Sequence, residues 1–281
     1  MKRIAIGLTL LVLAISGCSE GKENQETKQD KDLATKQNAQ QGALERVKQY
    51  PAPIESIIDQ GVEIIDTFEA PGDLIGYAGM MRGKSLAIYV TKDKKHAIVG
   101  TLIDAEGVNL TADVMSKLVE APRMATVWKE IEDSAWVADG SDDAPVVIYT
   151  FTDPNCPYCH KFREAADPWI KAGKVQFRHV LVAILRKSSM DKAASILGND
   201  NPEAMMQKHH EQFTQGGVEI DKAAIEKGQV RVQLNTNMMQ RLGFGATPTS
   251  VYKDSKGEIK SIQGMPPESV LESMMGSPKP E

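Results

Sequence analysis

The chain is poor in cysteine, with three in 281 residues. A disulfide-stapled scaffold is therefore excluded, because such domains carry several cysteines in a short sequence. Basic residues are not in excess, and the formal net charge is -5. Nucleic-acid binders display basic patches, so no nucleic-acid partner is expected. The apolar run Ile4 to Ile15 is too short and too abruptly ended for a membrane span. "CPYC" is unaccompanied by a second Cys-x-x-Cys, and the chain has five histidines. A structural zinc site wants four ligands at recognisable spacing, so no metal site is expected. His209 and His210 are adjacent, and neighbours on a helix do not share a face. His96 and His179 fall in strand-like runs and read as structural.

Hydrophobic residues make up 41%, enough to bury a core. The start, "MKRIAIGLTLLVLAISGCSEGKEN", joins a basic pair, an apolar run and small residues before Cys18. It resembles a bacterial lipobox, with Ile15 where Leu is usual. That resemblance implies cleavage before Cys18, diacylglycerol on its sulfur and acylation of the new amino end. Ser19, in place of an Asp, points to the outer membrane's periplasmic face. A plain secretory peptide with a chance cysteine is the alternative. Either reading exports the chain to a disulfide-permissive compartment. Only Cys156 and Cys159 then remain as thiols. A pair two residues apart closes too short a loop to be a useful staple.

Residues 19–43 are rich in Gln, Lys, Glu and Asp and nearly free of large apolar side chains. They read as a flexible tether. From Ala43 a short helical region is expected, interrupted near Pro51 and Pro53 and stopped by Gly61. "VEIIDTFEAP" reads as extended, and Leu86 to Thr91 with Ala97 to Ile103 as a hairpin. Helical patterning follows in "TADVMSKLVEA", with Thr111 or Asp113 as cap, and in "MATVWKEIEDSAWVADGS". This first region is small for independent stability, and a small sheet can complete its core on a copy of itself.

The second region opens with Val146 to Phe151, a continuous β-branched and apolar run typical of a strand covered on both faces. A helix over "CPYCHKFREAADPWIKAG", kinked near Pro168, comes next. A second buried strand, three helical segments, a hairpin through "DSKG" and a last helix over "PPESVLESMM" complete the order.

Cys156 and Cys159 thus stand where a buried strand gives way to a helix. A helix N-terminus offers unpaired amides and a positive dipole end, which favour the reactive thiolate. Pro157 suits the first turn. The spacing predicts Cys156 at the exposed helix tip and Cys159 one turn inward and partly covered. Cys156 would then attack a client sulfur and Cys159 resolve the mixed disulfide. His160 reads as a solvated helix residue pointing away. In "GATPTSVY", the Thr247–Pro248 bond is a candidate for the cis form, which would free the Thr247 backbone to pair with an extended substrate. A trans proline opening an edge strand reads equally well.

"DAPVVIYTFTDPNCPYCHKF", "DPWIKAGKVQFRHVLV", "YPAPIESIIDQGVEIIDTFEAPG" and "KKHAIVG" together resemble the DsbC/DsbG family of the thioredoxin superfamily, from about Leu44 to Met275. The resemblance implies an α+β chain with a small N-terminal dimerisation domain, a linker helix and a C-terminal thioredoxin-like domain carrying a helical insertion. In this numbering the segments are a signal peptide over 1–17, a tether over 18–43, dimerisation over 44–110, linker over 111–138 and catalysis over 139–281. The family's roles fall on Cys156 as nucleophile, Cys159 as resolving cysteine and Pro248 as a cis-proline. Thr247 and Tyr158 would contact substrate. No cofactor is implied beyond the redox pair itself. The implied partners are a second copy, periplasmic cysteine-containing clients and a DsbD-like membrane reductant. Pro157 and the lack of a second disulfide favour the DsbG side, where single-cysteine sulfenic acids are also reduced. Thr150 departs from the buried Asp of ordinary thioredoxins. A cleft-type chaperone with little redox turnover is the competing function. A net oxidant is a third.

Overall fold

The computed structural model describes residues 50–281. The signal segment, the tether and Cys18 lie outside the described residues. Helix α1 spans Ala52–Asp59. Pro51 caps it and Pro53 sits in its first turn, so the prolines open this helix rather than interrupt one. Gly61, at φ 93°, turns the chain into β1 (Glu63–Glu69).

Strands β1, β2 (Ile75–Met81), β3 (Lys84–Val90) and β4 (Ala97–Val99) form an antiparallel sheet in sequence order. The hairpin over β3 and β4 was expected, but β2 was not. Its glycines hide it. A Cβ on Gly76 would lie 2.3 Å from the Phe68 ring, so glycine is what lets that ring lie across the strand. Phe68 in turn meets Tyr89 edge-on at 5.8 Å. Ala78, Ala87 and Tyr89 pack under Met115 and Val119.

Met115 ends α2 (Leu110–Met115). The cap of α2 is Asn109, whose side chain accepts from the Thr111 and Ala112 amides; neither Thr111 nor Asp113 does this. Thr111 instead bonds Tyr89 Oη at 2.5 Å. One wide π-type turn, Ser116–Glu120, joins α2 to α3 (Ala121–Glu132). Helical structure stops there. The "SAWVADGS" stretch is not helix, because Val137–Asp139 forms β5 and hydrogen-bonds into the second sheet.

That sheet has the order β5-β7-β6-β8-β9. Its strands are β6 (Val146–Thr152), β7 (Val175–Leu181), β8 (Thr249–Lys253) and β9 (Ile259–Gln263). Strand β6 runs parallel to β7 and antiparallel to β8, so both its edges are paired, and its apolar run is also covered on both faces. On one face, Met124, Val127 and Ile131 of α3 pack with Tyr149, Phe151, Met239 and Val251. The other face meets Phe162, Ala166, Trp169 and Ile170 of α4 (Pro157–Lys171), which contains Pro168, and the C-terminal α8 (Glu268–Met274).

Between β7 and β8 the chain inserts α5 (Lys187–Leu197), α6 (Pro202–Glu211) and α7 (Lys222–Arg241). Helices α5 and α7 cross at Gly198 and Gly228. A Cβ on Gly228 would lie 2.3 Å from the Ala194 carbonyl oxygen. Alanine gains about 1 kcal/mol of helix propensity over glycine, but overpacking against backbone costs about 1–3 kcal/mol. The obstacle here is backbone on a neighbouring helix, so the second effect wins. Gly228→Ala is expected to lower the urea midpoint, with a net loss of about 1 kcal/mol.

Candidate active site

The site is built on the segment between β6 and α4. Asp153, buried, ends the strand. Its carboxylate accepts from four donors: the Asn155 amide (2.9 Å), the Ser189 hydroxyl (2.7 Å), and the Ile184 and Leu185 amides (2.8 and 2.9 Å). Its carbonyl takes the Cys156 amide at 2.9 Å. Asn155 donates to Ser189 at 2.9 Å and accepts from Lys192 Nζ at 2.8 Å. His209 bonds the Pro154 carbonyl at 2.8 Å. The insertion thus grips every residue of the turn that presents the cysteines. Asp153, Asn155 and Ser189 were missed by sequence reasoning. The signal for Asp153 and Asn155 is the turn-forming run "TDPN" before the first cysteine; Ser189 lies in α5, outside that run.

Cys156 is the N-cap of α4, in extended geometry, and Pro157 takes the first turn. The Cys159 amide donates to Cys156 Sγ at 3.3 Å. The Thr247–Pro248 bond is cis, and the Cys156 thiol donates to the Thr247 carbonyl at 3.2 Å. The strand entering β8 therefore crosses the first cysteine directly. This corrects the expectation of an exposed Cys156: it is 2% exposed and Cys159 is 4%. Tyr158, between them, is 57% exposed.

The two sulfurs differ in charge preference rather than in exposure. The Cys156 thiol is lowered to about 6. The largest cause is the hydrogen bond from Cys159; Thr247 and the Cys159 and Tyr158 amides add to it, against the opposing effect of burial. Burial pushes the Cys159 thiol well up, and the neighbouring Cys156 pushes it further. Thr150 is buried, and its hydroxyl lies 3.4 Å from that of Ser250.

His160 is not the solvated residue expected. Its ring stacks on Phe213 with centroids 4.3 Å apart, and its side chain is 15% exposed. His179, within β7, bonds Thr152 Oγ1 at 3.0 Å. His96 is exposed in the turn before β4, 3.9 Å from Asp93. The carboxylate of Asp139 is gripped by the Arg163 guanidinium, and His179 Nε2 lies 3.3 Å from it. Burial would raise this carboxyl; His179 and Arg163 outweigh burial and hold it below the usual range.

A thioredoxin-like domain family matches residues 135–277. The thiol:disulfide interchange protein DsbG of Pseudomonas aeruginosa is 40% identical over 84% of this chain and 92% of its own length. The chain belongs to the DsbC/DsbG family. DsbG of Escherichia coli is 35% identical over 84% of this chain and 95% of its own length. Among solved structures, the thiol-disulfide exchange protein alpha-DsbA2 of Wolbachia pipientis aligns with a TM-score of 0.47 at 18% identity, over 60% of this chain and 98% of that one. A member of this family is a thiol-disulfide exchange enzyme, and a cysteine pair at a helix N-terminus supplies what that chemistry needs.

The lowered Cys156 thiol has a direct kinetic signature. With the pair reduced, alkylation of Cys156 by iodoacetamide should follow a single ionisation with its midpoint near pH 6. The rate should fall roughly tenfold for each pH unit below that midpoint. Cys159 should stay unmodified over the same range, as read by peptide mass spectrometry.

Proposed function

We propose that this protein is a periplasmic thiol-disulfide oxidoreductase, an isomerase and reductase, with Cys156 as nucleophile and Cys159 as resolving cysteine. The observation that carries the reading is the opposed ionisation of the pair: one thiol near 6, the other raised well above its ordinary value. The Cys156 thiolate attacks one sulfur of a client disulfide. A new S–S bond forms and the other client sulfur leaves as thiolate, taking a proton from solvent. Cys159 then loses its proton and attacks the Cys156 sulfur, releasing the second client thiol and leaving the pair oxidised by two electrons. When a free client thiol attacks the mixed disulfide first, the client is rearranged and the pair returns reduced. On a sulfenic acid the same attack expels hydroxide, which leaves as water, and Cys159 resolves as before.

Thr247, Pro248 and Tyr158 receive the client. Support for this comes from the Thr247 carbonyl, 3.2 Å from Cys156 Sγ, and the exposed Tyr158 ring. A DsbD-like membrane reductant keeps the pair reduced. Residues 18–43 tether the protein, and Cys18 carries the lipid that anchors it to the outer membrane. Residues 44–110 dimerise, residues 111–138 link, and the region from 139 catalyses. The dimer reading is supported by the edge strand β4, where Ile98 and Val99 are 58% and 57% exposed.

Cys159→Ser should accumulate mixed disulfides with periplasmic clients, visible on non-reducing gels, and Cys156→Ser should accumulate none. Trapping by Cys156→Ser alone would reverse the assignment, and equal trapping by both would end it. If Cys156→Ser/Cys159→Ser keeps full aggregation suppression and the parent shows no disulfide reductase activity, the binding-module reading replaces the enzyme. Ile98→Asp/Val99→Asp should convert the dimer to a monomer in light scattering while leaving insulin reduction within about twofold, since the redox pair is untouched.

A further inference from the structure

Four of the five histidines meet in one patch beside the active-site helix. His210 lies with its ring centroid 5.9 Å from that of His160, 5.5 Å from that of His179 and 6.2 Å from that of His209. His179 and His209 are satisfied by protein partners. His179 bonds Thr152 and Asp139, and His209 bonds the Pro154 carbonyl and takes the Val218 amide at 3.3 Å. His210 differs. Both of its ring nitrogens are buried and neither has a hydrogen-bond partner. Orphaned buried polar atoms are costly and call for an explanation.

Ligand atoms of Asp139, His179 and His210 all lie within 4.8 Å of one another. They come from β5, β7 and α6, three elements far apart in sequence. A tetrahedral site with bonds of about 2.0–2.1 Å holds its ligand atoms roughly 3.4 Å apart. The His210 ring has no hydrogen bond to break in closing that gap. A cavity of about 400 Å³ opens beside it, lined by Glu164, Asp167 and Glu211, with Arg163 as its one permanently cationic side chain. That excess of carboxylate draws cations. Arg163 competes for Asp139, but its other arm reaches Asp167 at 2.7 Å, which offsets its charge. Arg163 holds both oxygens of Asp139, including the one that faces His179, so the ion would share this carboxylate with an outer hydrogen-bonding partner.

We propose that Asp139, His179 and His210 bind one divalent transition-metal ion of the zinc class, with a fourth position open to the cavity. Two imidazoles and a carboxylate suit zinc, cobalt and nickel rather than calcium or magnesium. His179 binds the ion through Nε2 and keeps its proton on Nδ1, donated to Thr152 Oγ1. The ion joins the second sheet to the helical insertion without using either cysteine.

The test uses the full-length protein with Cys156 and Cys159 oxidised to a disulfide, so that no thiolate competes. Titration with Co²⁺ should load one ion per chain and give visible d–d absorption without a sulfur charge-transfer band. Zn²⁺ should displace it and raise the melting temperature. His210→Ala should weaken Co²⁺ binding by roughly tenfold or more, and His96→Ala should leave it unchanged. His210→Gln, closer in volume, carries the same expectation should the alanine variant fold poorly. Absence of stoichiometric uptake by the oxidised protein, or unchanged affinity in a folded His210 variant, overturns the proposal.

Discussion

The buried carboxylate of Asp153 organises the part of the molecule that carries the cysteine pair. A carboxylate inside a protein is tolerated only when donors replace its water, and four do so here. Two donors are amides from the chain leaving β7. The third is the amide of the cysteine turn itself, and the fourth is the Ser189 hydroxyl of the insertion. One acidic side chain thereby ties together the strand that precedes the cysteines, the loop that carries them and the helices inserted later in the chain, with Ser189 lying 36 residues on. The loop needs such a hold, because it must keep Cys156 in cap geometry while Pro157 starts the helix. The insertion is therefore part of the site's scaffold, although it contributes no sulfur and no acid.

Helix α3 has a comparable double allegiance. Its Met124, Val127 and Ile131 belong to the core of the second sheet, while the wide turn just before it packs Val119 beneath the first sheet. A π-type turn at that junction relaxes the usual helical spacing where the two packing surfaces begin to diverge.

Much of this was legible in sequence because it is local. The run Val146 to Phe151, the caps and turns around "CPYC" and the hairpin through "DSKG" carry their own patterns. The family likeness added the cis bond at Pro248, which residue chemistry alone left open. What escaped was set by distant partners. Strand β2 was masked by glycines whose purpose appears only once Phe68 lies over Gly76. Strand β5 is three residues long and exists because β7 offers it an edge. The cap of α2 passed to Asn109, since Thr111 is held by Tyr89. The burial of Cys156 and the gathering of His160, His179 and His210 depend on elements from opposite ends of the domain, which no spacing rule connects.

The Thr247 carbonyl has one further consequence. While Cys156 is a thiol, its proton fills that oxygen. Once the proton leaves, the carbonyl loses this donor and faces a negatively charged sulfur. In the proposed function a client's backbone amide fills that vacancy. Loss of the proton from the sulfur and release of the Thr247 carbonyl are then a single event.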